Sequence, residues 1–399
     1  MPKAGIEPAL PEGNRILSPA RLPVPPLRLY LDGNAHATSA VPIEGSYTQA
    51  VTQRVGILTG GGDCPGLNAV IRAVTRRSLN RGWAVAGVRE GWRGLVEGIV
   101  EPLGPREISG ILPRGGTILG TTRTNPYTVA GGVERVLESM MRERLHALVA
   151  IGGEDTLGVA ARLHAEQNFP VVGVPKTIDN DLNGTDYTFG FDTAVTIATE
   201  AIDRLHTTAE SHNRVMVVEV MGRHTGWIAV HSGIAGGADV ILIPEQPVTV
   251  EEACRQLEKR HETGKDFSIV VVSEGYELTY ESGERRLVAG KARPTDQFGH
   301  VVLGGVGDAL GHEIEQRTGF ETRVTVLGHV QRGGTPTPRD RVLATRYGLK
   351  AADLVHDGRF GQMAALRGDS VVSVPLAEAT ATLKTVPAHW YETARAFFG

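Results

Sequence analysis

One recurring unit limits what this chain can fold into: a short apolar run, a polar glycine-rich turn, then a segment with helical spacing. Val55-Gly-Ile-Leu-Thr59 has the unbroken apolar character of a strand buried on both faces. After a turn, Leu67, Val70, Ile71 and Val74 fall at i, i+3, i+4 and i+7, one face of a helix that turns Arg72, Arg76 and Arg77 outward. The unit repeats. Strands are expected at 146–151, 170–174, 215–220, 239–243, 267–272 and 323–327. Helices are expected at 132–145, 156–167, 192–209, 249–263, 300–317 and 338–355. Such alternation builds βαβ units with parallel sheets, in which ligands sit beyond the carboxyl ends of the strands.

The 399 residues include 50 glycines, well above the average near ~7%. They are not periodic, and they cluster after the apolar runs, where a backbone turns tightly or approaches a ligand closely. At 41% hydrophobic and 22% charged residues, the composition is that of an ordinary globular enzyme rather than a disordered or fibrous chain. A net charge of −4 argues against a general nucleic-acid surface. Two distant cysteines give neither a disulfide framework nor a zinc site, and a cytoplasmic location is expected. No run of about 18 apolar residues is present, so no membrane partner is expected. The first 50 residues carry eight of the 22 prolines and no periodicity. Residues 1–53 therefore read as a disordered proline-rich extension, without the plan of a signal peptide.

Three turns carry the chemistry. The first is Thr59-Gly60-Gly61-Gly62-Asp63-Cys64-Pro65-Gly66. Its glycines are expected to free backbone N–H groups ahead of a helix N-terminus, a setting for an anion. It is neither a P-loop, because Leu67-Asn68 replaces Lys-Ser/Thr, nor a dinucleotide fingerprint, because Pro65 replaces the third glycine. Standing alone it is equally a tight βα connection. The second is Gly152-Gly153-Glu154-Asp155-Thr156, where two carboxylates could ligate Mg²⁺, or Asp155 or Thr156 could cap a helix. The third, Pro175-Lys176-Thr177-Ile178-Asp179-Asn180-Asp181, sets two carboxylates one residue apart beside a lysine. In an extended segment both would point the same way, placing a base near a metal–phosphate cluster.

Arginines mark further strand ends: Arg123 after Gly115-Gly116, Arg214, Met221-Gly222-Arg223, Arg323, and Gly328-His329-Val330-Gln331-Arg332-Gly333-Gly334. A single arginine is usually a surface charge, but several beside glycines look like phosphate clamps. Glu274-Gly275 closes another strand. His329 could add a donor or be structural. Cys64 and Cys254 read as packing residues.

Taken together and in this order, these motifs resemble those of the 6-phosphofructokinase family, from about residue 54 to the C-terminus. The resemblance implies two similar-sized three-layer α/β lobes with largely parallel sheets and an active site in the cleft between them. Residues 54–190 plus about 331–380 would form the larger, phosphoryl-donor lobe. Residues 191–330 plus the C-terminal segment would form the sugar-phosphate lobe. It implies phosphoryl transfer to the 1-hydroxyl of fructose 6-phosphate with Mg²⁺. Asp179 matches the proton acceptor, Glu154 the metal ligand, and Asp181 a carboxylate close to metal and phosphates. Gly61 and Arg123 match donor contacts. Thr177, Ile178, Met221, Gly222, Arg223, Glu274, His329, Val330, Gln331 and Arg332 match substrate contacts. Arg214 and Arg323 match arginines reaching a neighbouring subunit's site, which implies a homodimer or homotetramer. The stretch 276–300 is longer than in short bacterial members.

The family divides by phosphoryl donor. ATP users typically carry glycine where this chain has Asp155; diphosphate users carry aspartate there and lysine at the position of Lys176. A carboxylate fills the room that the α-phosphate of ATP needs and repels it, at a cost of several kcal/mol at close range. Lys176 offers positive charge to an inorganic leaving group. Diphosphate is therefore the expected donor, with ATP as the alternative. An oxidoreductase and a non-catalytic sugar-phosphate binder fit the carboxylate-rich turns less well.

Overall fold

The computed structural model describes residues 53–288 and 303–398. Apart from Gln53, the extension expected over 1–53 lies outside the described residues, as do residues 300–302 of the helix expected from 300.

Among the described residues, the strands are β1 (Arg54–Thr59), β2 (Ala84–Val88), β3 (Val100–Pro102), β4 (Ala147–Gly152), β5 (Val171–Pro175), β6 (Val215–Val220), β7 (Val240–Leu242), β8 (Ser268–Ser273), β9 (Leu278–Thr279), β10 (Arg285–Arg286), β11 (Thr322–Val326), β12 (Gln362–Arg367) and β13 (Ser370–Pro375). The helices are α1 (Leu67–Asn80), α2 (Trp92–Glu97), α3 (Gly132–Arg142), α4 (Glu154–Gln167), α5 (Phe191–His212), α6 (Trp227–Ala235), α7 (Val250–Glu262), α8 (Val306–Thr318), α9 (Pro338–His356), α10 (Leu376–Ala379) and α11 (Ala388–Arg395). Every element expected from the apolar pattern is present with small shifts at its ends, the largest being α8, which begins at Val306.

Two sheets organise the chain. The larger has seven strands in the order β13-β12-β5-β4-β1-β2-β3. Its five central strands are parallel, and β3 and β13 close its edges antiparallel. The smaller has four parallel strands in the order β11-β6-β8-β7. The α/β class with largely parallel sheets is thus as expected. Successive strand residues face opposite layers, as the two-residue repeat demands. Val55 and Ile57 of β1 and Met216 and Val218 of β6 join one continuous core. Leu58 packs into a second layer on the far face of the larger sheet, and Val215 and Val217 into a third on the far face of the smaller. Burial on both faces explains why these strands read as unbroken apolar runs.

Elements without that signature escaped the sequence reading. β2 (Ala-Val-Ala-Gly-Val) and the Met-Ala-Ala centre of β12 are mostly small residues. α6 is buried at Trp227, Ile228, Ala229, Val230, Ser232 and Gly233, so it shows no stripe. Glycine rather than a capping side chain precedes α1, α3, α4, α5, α6 and α8, so these starts carry no side-chain capping signal.

Candidate active site

Residues that follow the carboxyl ends of β1, β4, β5, β6 and β8 line one cavity of about 380 Å³. Gly61, Arg123, Glu154, Asp155, Lys176, Thr177, Asp179, Asp181, Met221, Arg223, Glu274, His329 and Arg332 all face it, so most of the expected residues meet in one place. Gly62, Gly153, Thr156 and His224 line it as well; His224 adjoins the Met-Gly-Arg motif, and a wider reading of that motif would have included it.

The first turn works differently from the expectation. The N–H of Gly60 donates to the Ile151 carbonyl at 2.9 Å and that of Gly61 to the Thr122 carbonyl at 3.1 Å, so both donors are used internally. These glycines supply room: a Cβ on Gly60 would lie 2.5 Å from Thr156 Oγ1, and one on Gly62 would lie 2.8 Å from an Arg332 guanidinium nitrogen. The opening residues of α1, Gly66 and Leu67, do not line the cavity; the helix start that does is α4, through Gly153, Glu154, Asp155 and Thr156. Neither Asp155 nor Thr156 caps α4, because the cap is Gly153 and the helix begins at Glu154 itself. Both carboxylates therefore stand in the first turn, where the helix dipole favours negative charge.

The third turn leaves β5 at Lys176, whose side chain is buried (3% exposed) and whose ammonium donates to the Gly62 carbonyl at 2.5 Å. Burial pushes the Lys176 pKa down. The segment beyond is not extended as expected. Asn180 adopts a left-handed φ of 50°, which bends the chain between Asp179 and Asp181, yet both carboxylates still reach the cavity. Asp179 Oδ1 is buried and accepts no hydrogen bond from the described residues. Burial raises the pKa of Asp179, and the charges of Arg332, Arg223 and Lys176 oppose that rise. Asp181 is raised by burial and by the neighbouring Asp179. Across the cavity, burial and Asp179 push Glu274 up to about 7. Three carboxylates thus share a site where ionisation is disfavoured unless positive charge arrives.

On the β6 side, Gly222 has φ 139°, and a Cβ there would lie 2.5 Å from both Ser273 Oγ and the Thr225 carbonyl. Its carbonyl accepts from Ser273 Oγ at 2.6 Å and from the Gly275 N–H at 3.0 Å, which ties the ends of β6 and β8 together. Gly222 itself does not line the cavity. Five other expected contact residues also lie off it: Ile178, Gln331, Arg214, Arg323 and Val330. Ile178 is wholly buried in the core. Gln331 is fully buried, accepting from Met221 N–H at 3.4 Å and donating to the Gly328 carbonyl at 3.2 Å. Arg214, just before β6, and Arg323, on the edge strand β11, share the Glu321 carboxylate, Arg214 at 2.8 Å. Val330 is 61% exposed and likewise outside the lining. Arg332 bridges the two halves: its guanidinium donates to the Asp63 carbonyl of the first turn at 3.4 Å. Cys64 and Cys254 are both buried.

Among the described residues, no group of three or more His, Cys, Asp or Glu side chains is placed to hold a metal ion. A cation such as Mg²⁺ keeps several waters and needs only one or two carboxylates plus substrate phosphate oxygens. Glu154, in the first turn of α4 on the cavity wall, fits that requirement. Among the described residues no helix is long and apolar enough to cross a membrane.

This cavity between two largely parallel sheets sets carboxylates beside lysine and arginine side chains, a mixture chemically suited to a phosphate-bearing ligand together with a cation. The chain belongs to the phosphofructokinase family, whose model, described as "Phosphofructokinase", matches residues 54–355. It is 60% identical over 348 residues to the pyrophosphate–fructose 6-phosphate 1-phosphotransferase of Amycolatopsis mediterranei, covering 87% of this chain and all of that one. It is 51% identical over 348 residues to the ATP-dependent 6-phosphofructokinase of Corynebacterium efficiens, covering 87% of this chain and 99% of that one. Among solved structures it resembles Pichia pastoris phosphofructokinase in the T-state, at a TM-score of 0.72 and 32% identity, across 87% of this chain and 39% of that chain.

Proposed function

We propose that this protein is a diphosphate-dependent 6-phosphofructokinase, reversibly transferring a phosphoryl group from diphosphate to the 1-hydroxyl of fructose 6-phosphate to give fructose 1,6-bisphosphate. The observation that carries the donor choice is Asp155, which lines the cavity beside Glu154 and Lys176. A negative side chain there opposes a third phosphate, whereas a buried ammonium favours a compact inorganic one. The name of the Amycolatopsis relative points the same way.

In this reading Asp179 takes the proton of the sugar 1-hydroxyl as its oxygen attacks phosphorus, and orthophosphate leaves. The buried Oδ1 with no partner of its own is the acceptor this needs. Lys176, Arg123 and Arg223 compensate charge on the transferring and leaving groups; the work is positioning and electrostatics. Glu154, with diphosphate oxygens, would hold Mg²⁺, which supplies charge neutralisation of the donor. Met221, Arg223, Glu274, His329 and Arg332 would hold the sugar phosphate. The donor side is assigned to the larger sheet and the sugar side to the smaller. Arg323, exposed on β11, and Arg214, half-buried just before β6, would complete the site of a neighbouring subunit in a homo-oligomer. A cytoplasmic location accords with this chemistry.

The test is a side-by-side assay of purified protein with fructose 6-phosphate, Mg²⁺ and either diphosphate or ATP. Turnover with diphosphate well above that with ATP is expected. Preference for ATP would leave the sugar chemistry standing and overturn the donor assignment.

A further inference from the structure

The bend that sets Asp179 and Asp181 is fixed from outside the cavity. Asn180, between them, is 1% exposed and held at a positive φ that a non-glycine residue adopts only at a cost. Its Oδ1 accepts from the Thr188 N–H at 3.1 Å and from the ammonium of Lys384 at 2.9 Å. The same ammonium donates to the carbonyls of Thr185 at 3.0 Å and Asp186 at 2.9 Å, so all three of its donors are spent on this one loop. The backbone of Lys384 is committed too. Its N–H donates to the Asp181 carbonyl at 2.8 Å, and its carbonyl accepts from Trp227 Nε1 at 2.9 Å. Leu383 pairs with Leu182 across an isolated antiparallel bridge, and the Trp227 ring lies 5.2 Å below the ammonium.

We propose that Lys384 is a positioning residue for phosphoryl transfer, clamping Asn180 so that the Asp179 carboxylate meets the attacking hydroxyl at a productive angle. The inference rests on the proposed function. Lys384 does not line the cavity and so stays clear of the reacting atoms, yet its three hydrogen bonds to Asn180, Thr185 and Asp186 tie down the loop that carries Asp179 and Asp181. A misplacement of about 1 Å at the base costs roughly 10²-fold in rate.

The experiment is a double-mutant cycle in the full chain. Lys384→Met keeps the stem and removes the donors. It is expected to lower kcat about tenfold or more, to leave both KM values within about threefold, and to speed amide hydrogen exchange over 180–188. Placed on Asp179→Asn, the same substitution is expected to cost almost nothing further, because the group it positions is already gone. Equal losses in both backgrounds, unchanged kcat in the single variant, or unchanged exchange would each overturn the proposal. If Lys384→Met loses its cooperative melting transition, Lys384→Gln, which keeps a shorter neutral donor, is read in its place. A wild-type chain without activity on either donor would instead sink the proposed function, and the exchange measurement would still judge the clamp.

Discussion

At Asp179 two opposing effects meet in one side chain. Burial favours the neutral acid, while Arg332, Arg223 and Lys176 pull it toward the carboxylate. A base near an ordinary carboxylate pKa would be weaker than one raised by burial, because Brønsted behaviour rewards a pKa closer to the working pH. If Asp179 is the base, as proposed, it must be ionised to act, so activity is lost as pH falls through its raised pKa. The acid limb of kcat should therefore lie above the ordinary carboxylate value near ~3.9. Asp179→Asn is expected to lower kcat by ~10²–10⁴ and to abolish that limb, with substrate binding little changed, as measured by pH-rate profiles and titration of ligand. Asp155 offers a second residue-scale test. Asp155→Gly removes a charge from the cavity wall and should raise kcat/KM for ATP relative to diphosphate. It should also destabilise α4 by about 1 kcal/mol, because glycine is a poor helix former and a favourable first-turn charge is lost. A folded variant with unchanged donor preference would count against the charge argument.

Elements are joined to one another by side chains that the cavity does not use. Asp340, in the first turn of α9, is 1% exposed, and its Oδ2 accepts from Thr193 N–H at 2.8 Å and Thr193 Oγ1 at 2.6 Å at the start of α5. Thr337 caps α9 by accepting from the Asp340 N–H at 3.3 Å, and its hydroxyl donates to Asp192 at 2.7 Å. The two helices are thus locked at their starts, one borrowing its missing cap from the other. Burial pushes Asp340 up to about 6. A raised folded pKa means the native state holds the proton more tightly than the unfolded chain. The stability this gives is complete below ~3.9 and lost as pH rises through about 6. Asp340→Asn should flatten that slope in urea unfolding across the same window, while Asp340→Ala should cost about 1–3 kcal/mol by leaving the Thr193 donors unpaired.

Among the described residues, two main sheets, besides the two-stranded ribbon of β9 and β10, share one core and one cavity. Each sheet contributes the carboxyl ends of its strands, so neither could build the site alone. The edge strand β11 carries Arg323 outward beside Glu321, away from the cavity. If a second copy completes the sugar site, Arg323→Ala should raise KM for fructose 6-phosphate several-fold without moving KM for diphosphate. Sedimentation should then show a homo-oligomer, and a monomer with unaltered sugar affinity would refute the arrangement.

Local repetition along the chain settles its fold class. Unbroken apolar runs such as 215–220 and helical spacing such as 67–74 declared the parallel α/β class, because a strand covered on both faces must be apolar throughout. Short motifs at strand ends also picked out Glu154, Lys176 and Asp179, because cavities in such folds form there. Tertiary structure decided the rest. Whether Gly60 and Gly61 offered their N–H groups depended on carbonyls at Ile151 and Thr122, residues far away in the chain. That Gln331 is buried off the cavity wall, with its amide oxygen accepting from Met221 N–H, depended on a residue 110 positions away. Lys384 had no signal of its own, since a lone lysine near a chain's end reads as solvated charge until folding closes 204 residues of separation onto Asn180. Hydrogen bonds and desolvation are settled by neighbours in space, and a linear pattern records only neighbours in sequence.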